Sequence, residues 1–430
     1  MLARKMALEM YDAALQASLP KNFMHHSCQL RDNIFRVKDV EYDISVYKNI
    51  YLFGSGKASM SMAIEIEKIL GSFIKKGLIV AAEKTDTLKY VDVVEGSHPI
   101  PSEKSISAGK RLFSAMQECQ EDDLYIYLLS GGSSALIELP LEGVSLEDMQ
   151  ECTDIMLKNG LSIQEINSVR KHLSQIKGGK LAQANKATGI VLVLSDVLGD
   201  DLESIGSGPL YCDSSSFVDA KQILENKNLF SLLPTNVQAV LQKGVEGKID
   251  ETPKTVAKNV KHFILASNSI ALASAQSCAE NLGLQAKIAD IPLEGDVVAM
   301  SQKIKDYILK SPEQCLIFGG ECTVNVTGNG KGGRNQHLSG LMLQQICDNN
   351  LEVCFLSAAT DGIDGNAPAT GAVVDSMSCK KVDELGIDIA KYLQEYNSYE
   401  LFKKSGDLIL TGLSGTNVID IAIAIKTKGE

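Results

Sequence analysis

The sequence predicts an α/β protein organised as two domains, and three observations carry that prediction. Short β-branched runs alternate with longer stretches of helical period, the rhythm of strands joined by helices in a largely parallel sheet. The run Gly189-Ile190-Val191-Leu192-Val193-Leu194 is apolar at consecutive positions, as in a strand covered on both faces. The chain's 430 residues exceed what one hydrophobic core ordinarily serves.

A helix opens the chain. Ala7, Met10, Tyr11, Ala14 and Leu15 recur at helical spacing, with Glu9 and Asp12 on the wet side; this is not the layout of a signal peptide. Strands are predicted at 50–53, 78–81, 91–94, 124–129, 190–194, 262–265, 316–318, 323–327, 353–356 and 418–425. Helices are predicted at 58–70, 103–119, 268–281 and 296–309. The passage 225–261 is polar, then charged and Gly- and Pro-containing, so the domains are divided there, 1–245 and 246–430. The last strand is free to join either domain.

Composition narrows the function. The balance of 42 Lys and Arg against 54 Asp and Glu gives a net charge of -12, the wrong sign for a protein that neutralises a nucleic-acid backbone. No apolar run approaches the ~20 residues that span a bilayer. Ten cysteines form no C-x-x-C pair, and six histidines show no zinc spacing. This pattern predicts reduced, mostly buried thiols and a cytoplasmic protein.

Five segments share one logic: a strand ends and a small-residue loop follows, where backbone can approach a ligand. In the first, Gly54-Ser55-Gly56-Lys57-Ala58-Ser59, Lys57 adds a positive charge at a helix start. It is neither a Walker A loop, since Tyr51 and Ala58 stand at required positions, nor a dinucleotide fingerprint, since Ser59 replaces the third glycine. An anion cradle and a plain turn both fit. The second, Ser130-Gly131-Gly132-Ser133-Ser134-Ala135, can form a nest of amides but lacks the G-x-S-x-G of a serine hydrolase. The third places Asp196 at the end of the most apolar strand, able to hold magnesium or take a proton; Asp200 and Asp201 suit turns or caps.

The fourth runs from Gly319-Gly320-Glu321-Cys322 to Gly328-Asn329-Gly330-Lys331-Gly332-Gly333-Arg334-Asn335-Gln336. Gly328, Gly330 and Gly333 match G-x-G-x-x-G, but Arg334 at the helix start favours a phosphate clamp over a nicotinamide turn. Four glycines crowded into one loop favour a functional role. The fifth, Thr360-Asp361-Gly362-Ile363-Asp364-Gly365, suits magnesium or a hydroxyl-bearing substrate as well as it suits Asx turns. Arg170, Lys171, Lys177 and Lys180 form a basic stretch that either lines an anionic cleft or is a solvated face. His172 within it is expected to be an ordinary packed or exposed histidine.

Taken in order, 53–59, Gly96-Ser97-His98-Pro99-Ile100-Pro101, 130–135, 169–181, 195–209, 319–336, 360–375 and 412–420 closely resemble the glycerate 2-kinase family, whose C-terminal part is called the MOFRL domain. The resemblance implies a larger N-terminal Rossmann-like layered sheet, a smaller C-terminal α/β MOFRL domain, and an active site in the cleft between them. It implies ATP-dependent phosphorylation of glycerate on its 2-hydroxyl, with magnesium, to give 2-phosphoglycerate and ADP. Lys57 and Arg334 would handle phosphate, with Asp196 completing the catalytic set. Ser55, Gly56, Gly131, Gly132, Ser133, Ser134, Lys171, Glu321, Asn335 and Asp364 would bind substrate or nucleotide. Asp361 would hold magnesium, with Asp196 as the alternative.

Cys322 stands where the family usually has threonine, His337 where an acidic residue is usual, and Asn366-Ala367-Pro368 also departs from the pattern. The alternatives are a nicotinamide-dependent hydroxypyruvate reductase, a kinase for another short hydroxy acid, and a non-catalytic sensor. The expected partners are small molecules, neither nucleic acid nor membrane, with a homodimer left open.

Overall fold

The computed structural model describes residues 2–427. They form two compact units, one of residues 23–265 and one combining 2–22 with 266–427.

The first unit begins with an antiparallel meander, β1 (Cys28–Arg31), β2 (Ile34–Val37) and β3 (Val40–Asp43). Six further strands build its main sheet: β4 (Ile50–Ser55), β5 (Ile74–Ala81), β6 (Asp92–Glu95), β7 (Leu124–Ser130), β8 (Thr188–Leu194) and β9 (Val260–Ala266). Their spatial order is β6-β5-β4-β7-β8-β9, and β4 to β8 run parallel. Counted from β4 this is the 3-2-1-4-5-6 order of a doubly wound sheet, whose direction of winding reverses between β4 and β7. Every position of β4 and β7 is buried, because helices cover both faces. The connecting helices start on their own serines. Ser102, Ser145, Ser162 and Ser216 each accept an amide hydrogen bond from the first turn of the helix they open, which supplies a partner to an otherwise orphaned donor. Helices 146–158, 163–172, 217–226 and 235–245 pack a second core around Met149, Met156, Phe217 and Leu241.

The second unit carries β10 (Ala286–Ile288), β11 (Leu293–Asp296), β12 (Cys315–Thr323), β13 (Val353–Ala359), β14 (Gly371–Val374), β15 (Leu408–Ile409) and β16 (Asp420–Lys426). The order is β10-β12-β16-β13-β14-β15, with β11 also paired to β12. Here the largely parallel sheet of the sequence reading needs correction. The final strand β16 inserts antiparallel between β12 and β13, and its first residue, Asp420, lies in register with Gly320 and Ala359. A parallel strand there would have carried Asp420 to the opposite edge. The two strands expected at 316–318 and 323–327 are one strand, β12, that ends at Thr323. Gly319 sits inside it because a Cβ there would lie 1.9 Å from Asn268 Oδ1.

The units divide the chain differently from the predicted 1–245 and 246–430. Residues 246–265 stay with the first unit, since β9 extends its sheet, Gly189 N donates to Asn259 O at 2.8 Å, and Val260 enters its core. The opening helix Leu2–Ser18 belongs to the second. Its expected face of Ala7, Met10, Tyr11, Ala14 and Leu15 is buried. Tyr11 donates to Ala359 O at 2.6 Å, and Arg4 bonds Asp375 at 3.1 Å and Asp407 at 2.6 Å. These partners lie more than 340 residues away, beyond the reach of local pattern.

The expectation of uniformly reduced thiols is also corrected. Cys347, on helix Arg334–Asn349, is joined by a disulfide to Cys379 on helix Ser376–Glu384; the other eight cysteines are free. Closing a loop across a sequence separation of 32 restricts the unfolded chain by about 3–4 kcal/mol. Thiol reductant should therefore lower the denaturant midpoint of the native chain and leave that of a Cys347→Ser/Cys379→Ser variant unmoved. No helix among the described residues is long and apolar enough to cross a membrane.

Candidate active site

In the first unit the loops after β4, β7 and β8 meet at the carboxyl ends of the strands, beside the winding reversal. Lys57 N donates to Gly131 O at 2.8 Å and Ala58 N to Ser130 Oγ at 3.0 Å, lacing the first two loops together. The third closes in from the β8 side: a Cβ on Gly131 would lie 1.6 Å from Asp196 Oδ2. Only glycine allows that approach. A Cβ on Gly132 would meet both Lys57 Cγ and His98 Cδ2 at 3.0 Å. Ser55, Gly56, Lys57, Gly131, Gly132, Ser133, Ser134 and Asp196, scattered over 142 positions in sequence, thus converge.

Their side chains divide into framework and free groups. Ser55 is buried, its hydroxyl shared with Tyr127 OH at 2.6 Å and Ser133 Oγ at 2.5 Å. That commitment makes Ser55 a brace between β4 and β7 rather than a ligand. Lys57 is exposed and makes no ion pair among the described residues. Asp196 is half-buried, and no other described residue donates a hydrogen bond to its carboxylate. Burial pushes that carboxyl up, and the nearby Lys57 ammonium partly offsets the rise. His98, which the sequence reading matched as a segment but did not name as a site residue, joins the cluster. Partial desolvation, then Lys57, pushes its imidazole down to about 4, so the ring is neutral at pH 7 although the residue is exposed. A free ammonium, glycine amides and a carboxylate gathered at one strand edge suit a phosphate with its magnesium.

Lys171 and Lys177 of the neighbouring basic stretch are neither an anionic cleft lining nor a solvated face. Lys171 is buried, its ammonium 2.9 Å from Glu203 and 3.4 Å from Asp213. Lys177 is buried against Glu138, and burial pushes its ammonium down to about 8 despite that partner. Arg170 donates to Ser134 O at 2.9 Å, and Lys180 to Ser174 O at 2.7 Å. Lys171 is therefore corrected from ligand to framework, since a buried charge must keep its partner. His172 is packed, 2.8 Å from Glu251.

In the second unit the ends of β12 and β13 and the start of β16 share an edge. Arg334 opens helix Arg334–Asn349 and forks onto buried Asp420, Nη2 to Oδ1 at 3.0 Å and Nε to Oδ2. Its Nη1 lies 2.6 Å from Glu321 Oε1. Burial works against the charge, but the two carboxylates more than compensate and hold the guanidinium above its ordinary range. Asp420, 1% exposed, was missed as a site residue. Its signal was its place at the end of the matched segment 412–420. Glu321, Arg334, His337, Asn366 and Tyr396 line a pocket of about 450 Å³. Asp361 is half-buried, accepting from Ile363 N at 3.1 Å.

Asp364 and Asn335 are corrected from ligands to framework. The Asp364 carboxylate takes the amides of Asn335 at 3.1 Å and Gln336 at 2.8 Å, capping the helix that Arg334 begins. Asn335 in turn accepts from Ser357 at 2.6 Å. The glycine crowding has the same kind of cause: a Cβ on Gly330 would lie 2.3 Å from Glu395 O, one on Gly332 2.2 Å from Ser398 Oγ, and one on Gly333 2.3 Å from Asp364. Close chain approach, rather than a dinucleotide, demands these glycines. With the helix start already holding a carboxylate, the G-x-G-x-x-G match loses the anion site a nicotinamide cofactor would use.

Burial raises the Asp364 carboxyl from 3.8 to about 6, against the amides that hold it. A carboxyl raised on folding stabilises fully below its unfolded value, and that contribution is lost as pH rises through the folded value. The difference of about two pH units corresponds to about 3 kcal/mol. The stability of the native chain relative to Asp364→Asn is therefore expected to fall between pH 4 and 6, and parallel profiles would refute the assignment.

Fold and site together define a class: an α/β protein of two units, one whose parallel sheet carries an anion-suited cradle at its winding reversal and one with a carboxylate-held arginine at its strand ends. Residues 6–242 match the family model described as a domain of unknown function, DUF4147, and residues 314–420 match the MOFRL family. The chain is 41% identical to a glycerate 2-kinase of Pyrococcus horikoshii, covering 99% of this chain and 98% of that protein. It is 40% identical to a D-glycerate 2-kinase of Thermotoga maritima, covering 87% and 90%. A solved structure of glycerate kinase from Thermotoga maritima matches at a TM-score of 0.85 and 36% identity over 99% of both chains. The chain belongs to the glycerate 2-kinase family with a C-terminal MOFRL domain.

Proposed function

We propose that the chain is a kinase that transfers the γ-phosphoryl group of ATP to the 2-hydroxyl of glycerate, giving 2-phosphoglycerate and ADP. The observation that carries this reading is full-length similarity to glycerate 2-kinases in a chain that carries Lys57, Asp196, Asp361 and Arg334. Phosphoryl transfer passes through a loose transition state, so positioning and charge stabilisation are the protein's main contributions. The 2-hydroxyl oxygen bonds to the γ-phosphorus as the bond to the ADP oxygen breaks, and Asp196, its carboxyl raised by burial, takes the hydroxyl proton.

Lys57, with no carboxylate to release, meets the phosphoryl oxygens directly. Arg334 meets phosphate oxygens through its Nη1 side, Glu321 yielding that position while Asp420 keeps the other fork. Asp361 would hold magnesium, which when bound would supply charge neutralisation. This suits a donor set in which no three described His, Cys, Asp or Glu side chains form a metal site by themselves. The same reading assigns the chain to the cytoplasm, supported by eight free thiols among ten cysteines.

Incubation with ATP, magnesium and a panel of short hydroxy acids, followed by phosphorus NMR, tests the proposal. The expected product carries phosphate on C2 of glycerate. Phosphate on C3, or consumption of NADH or NADPH with hydroxypyruvate in place of phosphorylation, would overturn it.

A further inference from the structure

A second cavity adjoins the Gly131–Ser134 loop and none of the groups assigned above uses it. It is a slot of about 530 Å³ between the segment Pro99-Ile100-Pro101 and helix Leu146–Lys158, lined also by Arg170 and by Glu138, 3.8 Å apart. Its walls include Leu146, Met149 and Leu157. Two large apolar side chains on its rim stand in water: Ile100 is 66% exposed and Leu157 59%. Volume and lining fall in the range of small-ligand sites, apolar with a few polar groups to orient the ligand. Glycerate, small and charged, has no use for such walls.

Two connections tie the slot to the phosphate cradle. Pro99 directly follows His98, which reaches the Gly132 turn. Arg170 lines the slot while its guanidinium donates to Ser134 O at 2.9 Å. A ligand with a flat apolar end and an anionic tail would span both. Gln150 also lines the slot, and its amide nitrogen donates to Pro101 O at 2.7 Å. That bond orients the side chain so that its carbonyl oxygen remains to accept from an exocyclic amino group.

We propose that this slot receives the adenine base of the nucleotide, with the phosphate chain leading past His98 to the Gly131–Ser134 loop and Lys57. The inference rests on the kinase reading above and adds where the nucleotide's base is held.

Photolabelling with 8-azido-ATP, with and without competing ATP, followed by peptide mass mapping, tests it on the full chain. ATP-protected label is expected on 99–101 or 146–157. An Ile100→Asp/Leu157→Asp variant, altered only at exposed positions, is expected to raise the KM for ATP about tenfold or more and that for glycerate less than about twofold. ATP-protected label confined elsewhere, with glycerate phosphorylation intact, overturns the slot and leaves the kinase reading standing. If wild-type protein shows neither protected label nor phosphorylation, both fall. Should the double variant fail to fold, the wild-type label map decides.

Discussion

Replacing Arg334 with alanine is expected to lower kcat about 10³-fold, as for the arginine that stabilises a transferring phosphoryl group, and to destabilise the fold as well. The second effect follows from Asp420. Its carboxylate is buried and forked onto the guanidinium, and burial alone pushes it toward the protonated form. Removing the arginine strands that charge, which costs about 3–5 kcal/mol in comparable buried pairs. A loss of activity in Arg334→Ala is therefore ambiguous by itself. The double variant Arg334→Ala/Asp420→Asn separates the two roles, because it leaves no buried charge unpaired. Its denaturant midpoint is expected to recover most of the loss, while kcat stays low. Near-normal turnover by a folded double variant would remove Arg334 from phosphate handling.

Lys57→Met should behave differently. The ammonium is exposed and forms no ion pair among the described residues, so stability is expected to change by no more than about 0.5 kcal/mol. Activity should fall about 10²–10³-fold, as when one preorganised charge-stabilising donor is lost. A second readout is independent of catalysis. Lys57 depresses the His98 imidazole, second only to desolvation. Its removal should therefore move the His98 titration upward from about 4 while leaving it below its ordinary value, as followed by NMR. An unmoved His98 would show that the lysine does not face the Gly132 turn, and full activity would remove Lys57 from the mechanism.

Much of the first unit was legible because its signals are local. Consecutive apolar residues mark β8, and the glycine loops after β4 and β7 mark the strand ends that the doubly wound order brings together. The second unit was less legible. Its sheet is mixed because β16 arrives from the end of the chain and inserts antiparallel, and no periodicity along β16 encodes which strands it will separate. The same insertion supplied Asp420, the partner that changes the meaning of Arg334. The opening helix was read correctly as amphipathic, yet its covering surface lay more than 240 residues away, on helix Asn268–Asn281 and on strands β13 and β16.

The sequence by itself determined the strands of the first unit's main sheet, the loops that end at glycine, and the family, since each depends on residues near one another or on their order. Only the tertiary structure decided which charges remain free. Lys171 meets Glu203 across 32 positions and Arg334 meets Asp420 across 86, whereas Lys57 makes no such pair among the described residues. A charge written in a chain carries no mark of its partner. Burial forces that partnership, because an unpaired charge away from water is too unstable to persist, and burial is a property of the folded chain alone.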